Sequence, residues 1–170
     1  MESRKSSVFY RDGEYLEETT SLEDYCADWE RHPPPFSQKR ALVEKVALIS
    51  RLMHGGGVCH RDFYICHFLL DRTVDKSEST GWPRLFLIDL HRALCKRRLG
   101  RRWIEKDVAG LYFSSREIGL TRRDLLRFVR VYADAGLRDT LQRQGQFWNR
   151  VVSKGEALYR RLGNPGRVNP

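Results

Sequence analysis

Val58-Cys59-His60-Arg61-Asp62-Phe63-Tyr64-Ile65-Cys66-His67-Phe68-Leu69-Leu70 is answered further along the chain by Leu85-Phe86-Leu87-Ile88-Asp89-Leu90-His91. The apolar runs 68–70 and 85–88 are too short for helices and are bounded by polar or turn residues, so they predict a pair of buried strands. Asp62 then lies just before the first strand, and Asp89 at the end of the second. Two acids are thereby placed beside one hairpin.

This order carries a known chemical logic. In protein-kinase chemistry a His-Arg-Asp loop supplies the carboxylate that accepts the substrate hydroxyl proton, and an acid after the next hairpin holds magnesium on the phosphates. The tripeptide alone recurs by chance; the whole window does not. HRDFYICHFLLD, followed by LIDLHRA, RRWIEKDVAGLYFS and GLTRRDLLRFVRVY, closely resembles the lipopolysaccharide core heptose(I) kinases of Gram-negative bacteria, relatives of the protein kinases, over roughly residues 15–135. The resemblance implies an α+β, mainly α fold: the large, C-terminal lobe of a protein-kinase-like enzyme, with a short β-hairpin carrying the catalytic and metal aspartates. It implies transfer of a phosphoryl group from ATP, with Mg2+, to an inner-core heptose of lipopolysaccharide. Asp62, with Arg61 and His60, is the expected catalytic group, Asp89 and His67 the expected metal and nucleotide contacts, and Asp107 the expected brace of the catalytic loop. A surface acid favoured by a helix N-terminus is the plain alternative for Asp107.

One position departs from the general kinase pattern. Where Asn normally stands five residues after the catalytic Asp as a second metal contact, this chain has His67. An imidazole can ligate a metal but suits hard magnesium less well than oxygen does, so a hydrogen bond from His67 to a carboxylate or phosphate is the competing role. Arg61 is expected to order the loop rather than touch substrate.

Composition sets outer bounds. The chain has 170 residues, 41% hydrophobic and 11% aromatic, enough for one domain with a real core. No run approaches the ~18 apolar residues of a membrane span, and the start Met1-Glu2-Ser3-Arg4-Lys5 lacks a signal-peptide core, which predicts a cytoplasmic protein. Cysteines 26, 59, 66 and 95 lack the Cys-x-x-Cys spacing and read as reduced thiols; a zinc site from Cys59, His60, Cys66 and His67 has no standard spacing, and His60 already has a place in the kinase pattern. The formal charge is +9, and residues 91–103 carry six Arg or Lys and no acid. Alone, such a run is a solvated loop; beside a phosphoryl-transfer site it favours an anionic acceptor or the cytoplasmic face of the inner membrane. Nucleic acid is not expected, because no aromatic-basic interleaving accompanies the charge.

Taken in order, residues 1–14 carry little pattern. Ser21 to Asp24 has the form of a capping box, predicting a helix through Trp29 that Pro33-Pro34-Pro35 ends; in a kinase-like chain these would be the hinge and the first helix of the large lobe. An amphipathic helix is predicted over 38–54, with Leu42, Val46, Ile49, Leu52 and Met53 as core, stopped by Gly55-Gly56-Gly57. Residues 71–83 read as an enlarged hairpin loop. Helices are expected over 104–116, over 121–134 behind a second capping box and stopped by Gly136, and less regularly over 138–162; residues 163–170 should fray. The whole, 1–170, reads as one large-lobe domain. No glycine-rich phosphate loop and no strand lysine precede the hinge, so the small lobe is expected to be absent from these residues. A rival reading is therefore a catalytically incomplete module that binds acidic glycolipid or a partner protein.

Overall fold

The computed structural model describes residues 9–11, 14–16, 18–74 and 82–163. It is rich in helix with three small sheets. Strands β1 (Phe9–Arg11) and β2 (Glu14–Leu16) pair as an antiparallel hairpin, in a region where the sequence shows little pattern. β3 (Thr19–Ser21), β5 (Phe68–Asp71) and β6 (Leu85–Leu87) form a second sheet in that order. β4 (Val58–Cys59) and β7 (Leu94–Cys95) form the third.

The two apolar runs of the opening motif pair antiparallel, with Phe68 opposite Leu87 and Leu70 opposite Leu85. They are not equally buried. Every residue of β5 is buried because β3 and β6 flank it, whereas β6 is the edge strand and is only half-buried. Of the enlarged loop expected over 71–83, residues 75–81 lie outside the described residues, as do 164–170 of the expected frayed tail.

Helix α1 (Leu22–Cys26) starts at Ser21, whose side chain accepts from the Asp24 amide, and stops three residues short of the expected Trp29. The chain continues in turns, and Trp29 is buried against the core without being helical. Helix α2 (Phe36–Gly55) begins two residues earlier than its apolar stripe suggested. Leu42 and Val46 are buried, while Ile49 and Met53 pack partly against the core. Leu52 does not: it is 62% exposed, because it sits about 100° around the helix from its neighbour Met53 on the stripe.

Helix α3 (Arg101–Ser114) packs on α5 (Leu137–Leu162), and α2 packs on α4 (Arg122–Ala133). Thr121 and Asp124 close a reciprocal capping box at the start of α4. Burial alone would push the Asp124 carboxyl up; donation from Thr121 and the charge of Lys39 outweigh it and hold it below the usual carboxylate range. Asp134, in the left-handed conformation at φ 53°, ends α4; Gly136, expected as the stop, caps α5 instead. Helix α5 is continuous through Gly145 and Gly155. A Cβ at Gly155 would come within 2.4 Å of the Tyr112 ring, so this glycine lets α5 lie close against α3. Two apolar clusters result, one around Phe63, Phe68, Leu22 and Leu70 beneath the sheet, the other around Val108, Phe147 and Trp148 between helices. No described helix is long and apolar enough to cross a membrane.

The glycine run that ends α2 also sets the entry to the opening motif. Gly57 has φ +80°, its carbonyl accepts from the Lys96 amide at 2.8 Å, and a Cβ there would lie 2.0 Å from the Lys96 carbonyl oxygen. Gly57→Ala should therefore combine left-handed strain with backbone collision and cost at least ~1–3 kcal/mol. Urea unfolding of the purified variant checks this; an unchanged midpoint would show that β4 and β7 separate freely.

Candidate functional site

The loop from His60 to His67 is shaped from below by one carboxylate. Arg61 has φ +75°, an unusual conformation for a residue with a side chain, and needs to be held there. Asp107, 1% exposed within α3, accepts the His60 amide at 2.7 Å and the Arg61 amide at 2.9 Å. Its position in mid-helix and its burial exclude the surface-acid alternative. His54 of α2 stands 3.3 Å from the same carboxylate through Nε2, and its Nδ1 is 2.8 Å from the Tyr132 hydroxyl of α4. Burial alone would raise the Asp107 carboxyl, but the bonds from His54, Cys59 and the two amides outweigh it and hold it below the usual carboxylate range. Burial, and then the Asp107 charge, push the Tyr132 phenol up.

On the open side of the loop, Asp62, His67 and Asp89 come together. The Asp62 carbonyl accepts from the Tyr64 amide at 3.1 Å and from His67 Nδ1 at 2.7 Å. A carbonyl can only accept, so Nδ1 carries the proton and Nε2 points onward to Asp89 Oδ2 at 3.4 Å. Asp89 itself has φ +64° and closes a contact from its other oxygen to His91 Nδ1. The two halves of the motif are tied again by backbone: the Ile88 amide donates to the His67 carbonyl at 3.0 Å, and His60 Nε2 donates to the Ile88 carbonyl at 2.9 Å. The His60 and His67 rings stack at 5.4 Å, 9° from parallel.

Exposure sorts the expected residues. His60 is 0% exposed, so it shapes the site without reaching a substrate. The Arg61 guanidinium lies 5.9 Å from the Trp103 ring. The Asp62 carboxylate is partly open and meets Arg92 Nη1 at 2.9 Å. Glu23 of α1 also faces this region: burial and the neighbouring Asp24 push its carboxyl up, and His67 pulls it down.

Three contributors lay outside the motif reading. Arg92 was legible only as one charge in a basic run. His54 had a signal: with Val43, Ala47 and Ser50 it forms a helical stripe, all buried, on which a histidine calls for partners. Ser114, whose hydroxyl accepts the Ile65 amide at 2.9 Å, had none.

The donor set fits a hard cation in part. With Nδ1 turned to the Asp62 carbonyl, His67 Nε2 and Asp89 Oδ2 stand 3.4 Å apart as two donor atoms that one cation can share. Magnesium commonly takes only one or two protein carboxylates, with water and substrate phosphates completing its shell. Among the described residues no cluster of three or more His, Cys, Asp or Glu side chains is arranged to hold a metal, which also leaves no zinc site at Cys59, His60, Cys66 and His67. All four cysteines are free thiols.

The pH dependence of Asp107 follows from its lowered carboxyl. A depressed pKa contributes stability that is present above the unfolded value, ~3.9, and is lost as pH falls through the folded value. Asp107→Asn should cost ~1.5–3 kcal/mol at pH 7 and flatten the decline of stability below about pH 5. Denaturant titrations at several pH values check this; a mutant as acid-sensitive as the parent would place the titrating group elsewhere.

The chain is similar to the lipopolysaccharide core heptose(I) kinase WaaP of Escherichia coli, at 46% identity over 148 residues, covering 87% of this chain and 55% of that protein. It is 49% identical over 148 residues to the WaaP of Pseudomonas aeruginosa, covering 87% of this chain and 54% of that protein. A solved structure of WaaP in complex with acyl carrier protein is 49% identical and superposes with a TM-score of 0.76 over 85% of this chain and 59% of that one. The chain thus spans about half the length of the curated relatives it matches. The lipopolysaccharide kinase (Kdo/WaaP) family matches residues 13–132, and the chain belongs to that family.

Proposed function

We infer that this chain carries the acceptor-activating part of an ATP-dependent kinase that phosphorylates an inner-core heptose hydroxyl of lipopolysaccharide. The observation that carries the reading is the union of Asp62 and Asp89 through His67 beside the β5–β6 hairpin, in a chain similar to heptose(I) kinases. The helical body and this hairpin correspond, on this reading, to the large lobe of a protein-kinase-like fold.

The division of labour follows from the geometry. Asp62 accepts the proton of the attacking hydroxyl: Arg92 occupies its Oδ2 and leaves Oδ1 for that bond. A guanidinium beside that oxygen also compensates charge where a phosphoryl group must approach a carboxylate. Asp89, with His67, would hold Mg2+, which supplies charge neutralisation on the ATP phosphates when bound. His60, Arg61 and Asp107 are positioning residues, fixing the loop that aims Asp62 without touching the acceptor. The exposed basic residues between 92 and 102 face an anionic acceptor at the cytoplasmic surface of the inner membrane.

A protein partner is proposed by the same similarity. The solved neighbour is a complex with acyl carrier protein, and this chain has a feature suited to an acyl-bearing partner: an apolar cavity of about 260 Å³ lined by Leu22, Trp29, Leu42, Val108, Phe128 and Trp148. Acyl carrier protein bearing a medium acyl chain should therefore bind more tightly than the unacylated form in calorimetry; equal affinities would exclude the cavity as an acyl site.

Substitutions at the two aspartates separate their roles. In a full-length version, Asp62→Asn should lower heptose phosphorylation by ~10²–10⁴ without altering the fold, since an amide keeps the shape but cannot take the proton. Asp89→Ala should instead shift the magnesium dependence to higher concentration, because it removes the oxygen ligand. Steady-state assays across a magnesium series check both. Near-normal turnover by the first variant would remove Asp62 from the role, and an unchanged magnesium curve for the second would move the ligand elsewhere.

A further inference from the structure

A second charged concavity lies between α3 and α5, apart from Asp62 and Asp89. It measures about 310 Å³ and is lined by Lys106, Ala109, Lys154, Ala157, Leu158 and Arg161. Three of the six residues are cationic and none is acidic. Lys106 and Arg161 are exposed and have no carboxylate partner among the described residues. Lys154 donates to Glu105 at 2.7 Å, but that buried carboxylate is already shared with Arg150 at 2.7 Å and Arg101 at 3.6 Å, so the region keeps a positive surplus. Of its two alanines, Ala109 is buried and Ala157 is exposed.

Helix α3, which helps to line the concavity, also touches the loop that carries Asp62. Ala109 neighbours Gly110, where a Cβ would lie 3.3 Å from the Tyr64 ring, and Tyr64 follows Asp62 by two residues. From Tyr64, ring contacts run to Phe113 at 6.4 Å and on to Tyr159 at 6.5 Å, two residues before Arg161. Lys106 directly precedes Asp107, which binds the loop amides. In addition, Arg161 and Arg92 both act electrostatically on the Tyr64 phenol, which burial otherwise raises.

Resting on the phosphotransfer reading above, we propose that Lys106, Lys154 and Arg161 form an oxyanion subsite for the sugar acceptor, holding a phosphate or carboxylate carried on the saccharide while a hydroxyl of the same molecule is presented to Asp62. Charged groups on a shallow concavity bind an oxyanion through several charge-assisted hydrogen bonds, and the surrounding sugar supplies the contact area that a free anion lacks.

The test is an amide NMR titration of the chain with glucose 6-phosphate, glucuronate, glucose and inorganic phosphate at constant ionic strength, which holds screening fixed. One or both charged sugars should shift Lys106, Ala109, Ala157 and Arg161, with glucose silent and inorganic phosphate weaker than the sugar phosphate; which charged sugar binds identifies the oxyanion. Lys106→Gln and Arg161→Gln should each weaken binding by about tenfold. Ala157→Phe, at an exposed position where folding is not at risk, should abolish it by filling the concavity while leaving every charge in place. Shifts spread over the basic run at 92–102, inorganic phosphate binding as tightly as the sugar phosphate, no response to any charged sugar, or full binding by Ala157→Phe would each overturn the proposal. The titration uses no nucleotide, so its outcome is independent of whether Asp62→Asn abolishes transfer.

Discussion

The buried carboxylate of Asp107 is the constraint on which the rest of the site depends. A charge at 1% exposure is costly unless it is fully hydrogen-bonded, and here three donors supply the bonds: His54 from α2 and the His60 and Arg61 amides from the loop, with His54 backed in turn by Tyr132 from α4. Each helix that contributes is thereby fixed relative to the loop. The left-handed Arg61 is the local cost of this arrangement. It turns the chain so that Asp62 faces outward while both preceding amides face Asp107.

The second strained residue has the same logic. Asp89 at φ +64° turns away from β6, with one carboxylate oxygen against His91 and the other facing His67 Nε2. His67 is thus the pivot of the open side: one ring nitrogen fixes the Asp62 backbone, the other meets Asp89, and the ring face rests on buried His60. An asparagine could donate to the Asp62 carbonyl but could not stack in this way. That gives a physical account of a residue which the general kinase pattern leaves unexplained.

Much of the architecture was legible because short-range chemistry decided it. The two capping forms at Ser21 and Thr121, the glycine stop after α2 and the paired apolar runs are local signals, and each became an element at or near the expected place. The misses were decided by tertiary contact. Trp29 lost its helix because packing, not propensity, placed it in the core; Leu52 was assigned to the core by residue type although its position faces solvent. Gly145 and Gly155 looked like interruptions of α5, yet the helix runs through both, and Gly155 leaves room for the Tyr112 ring of α3. Within the site, Asp62 and Asp89 could be read from motif spacing. Their dependence on His54, Ser114 and Arg92 could not, because those contacts join residues far apart in sequence or hidden in a run of like charges.

Arg92 shows why the basic run should not be treated as a uniform surface. Its neighbours Lys96, Arg97 and Arg98 are exposed and act mainly through the long-range field, which salt screens within about a Debye length of ~8–10 Å. Arg92 lies 2.9 Å from Asp62, where separation is short and both groups are only partly solvated. At that distance a guanidinium orients one carboxylate oxygen and leaves the other free, which on the proposed reading fixes the direction from which an acceptor hydroxyl would approach Asp62. The field of the run gathers anions of any kind. Arg92 instead makes a specific contact, and it follows the left-handed turn at Asp89 by three residues.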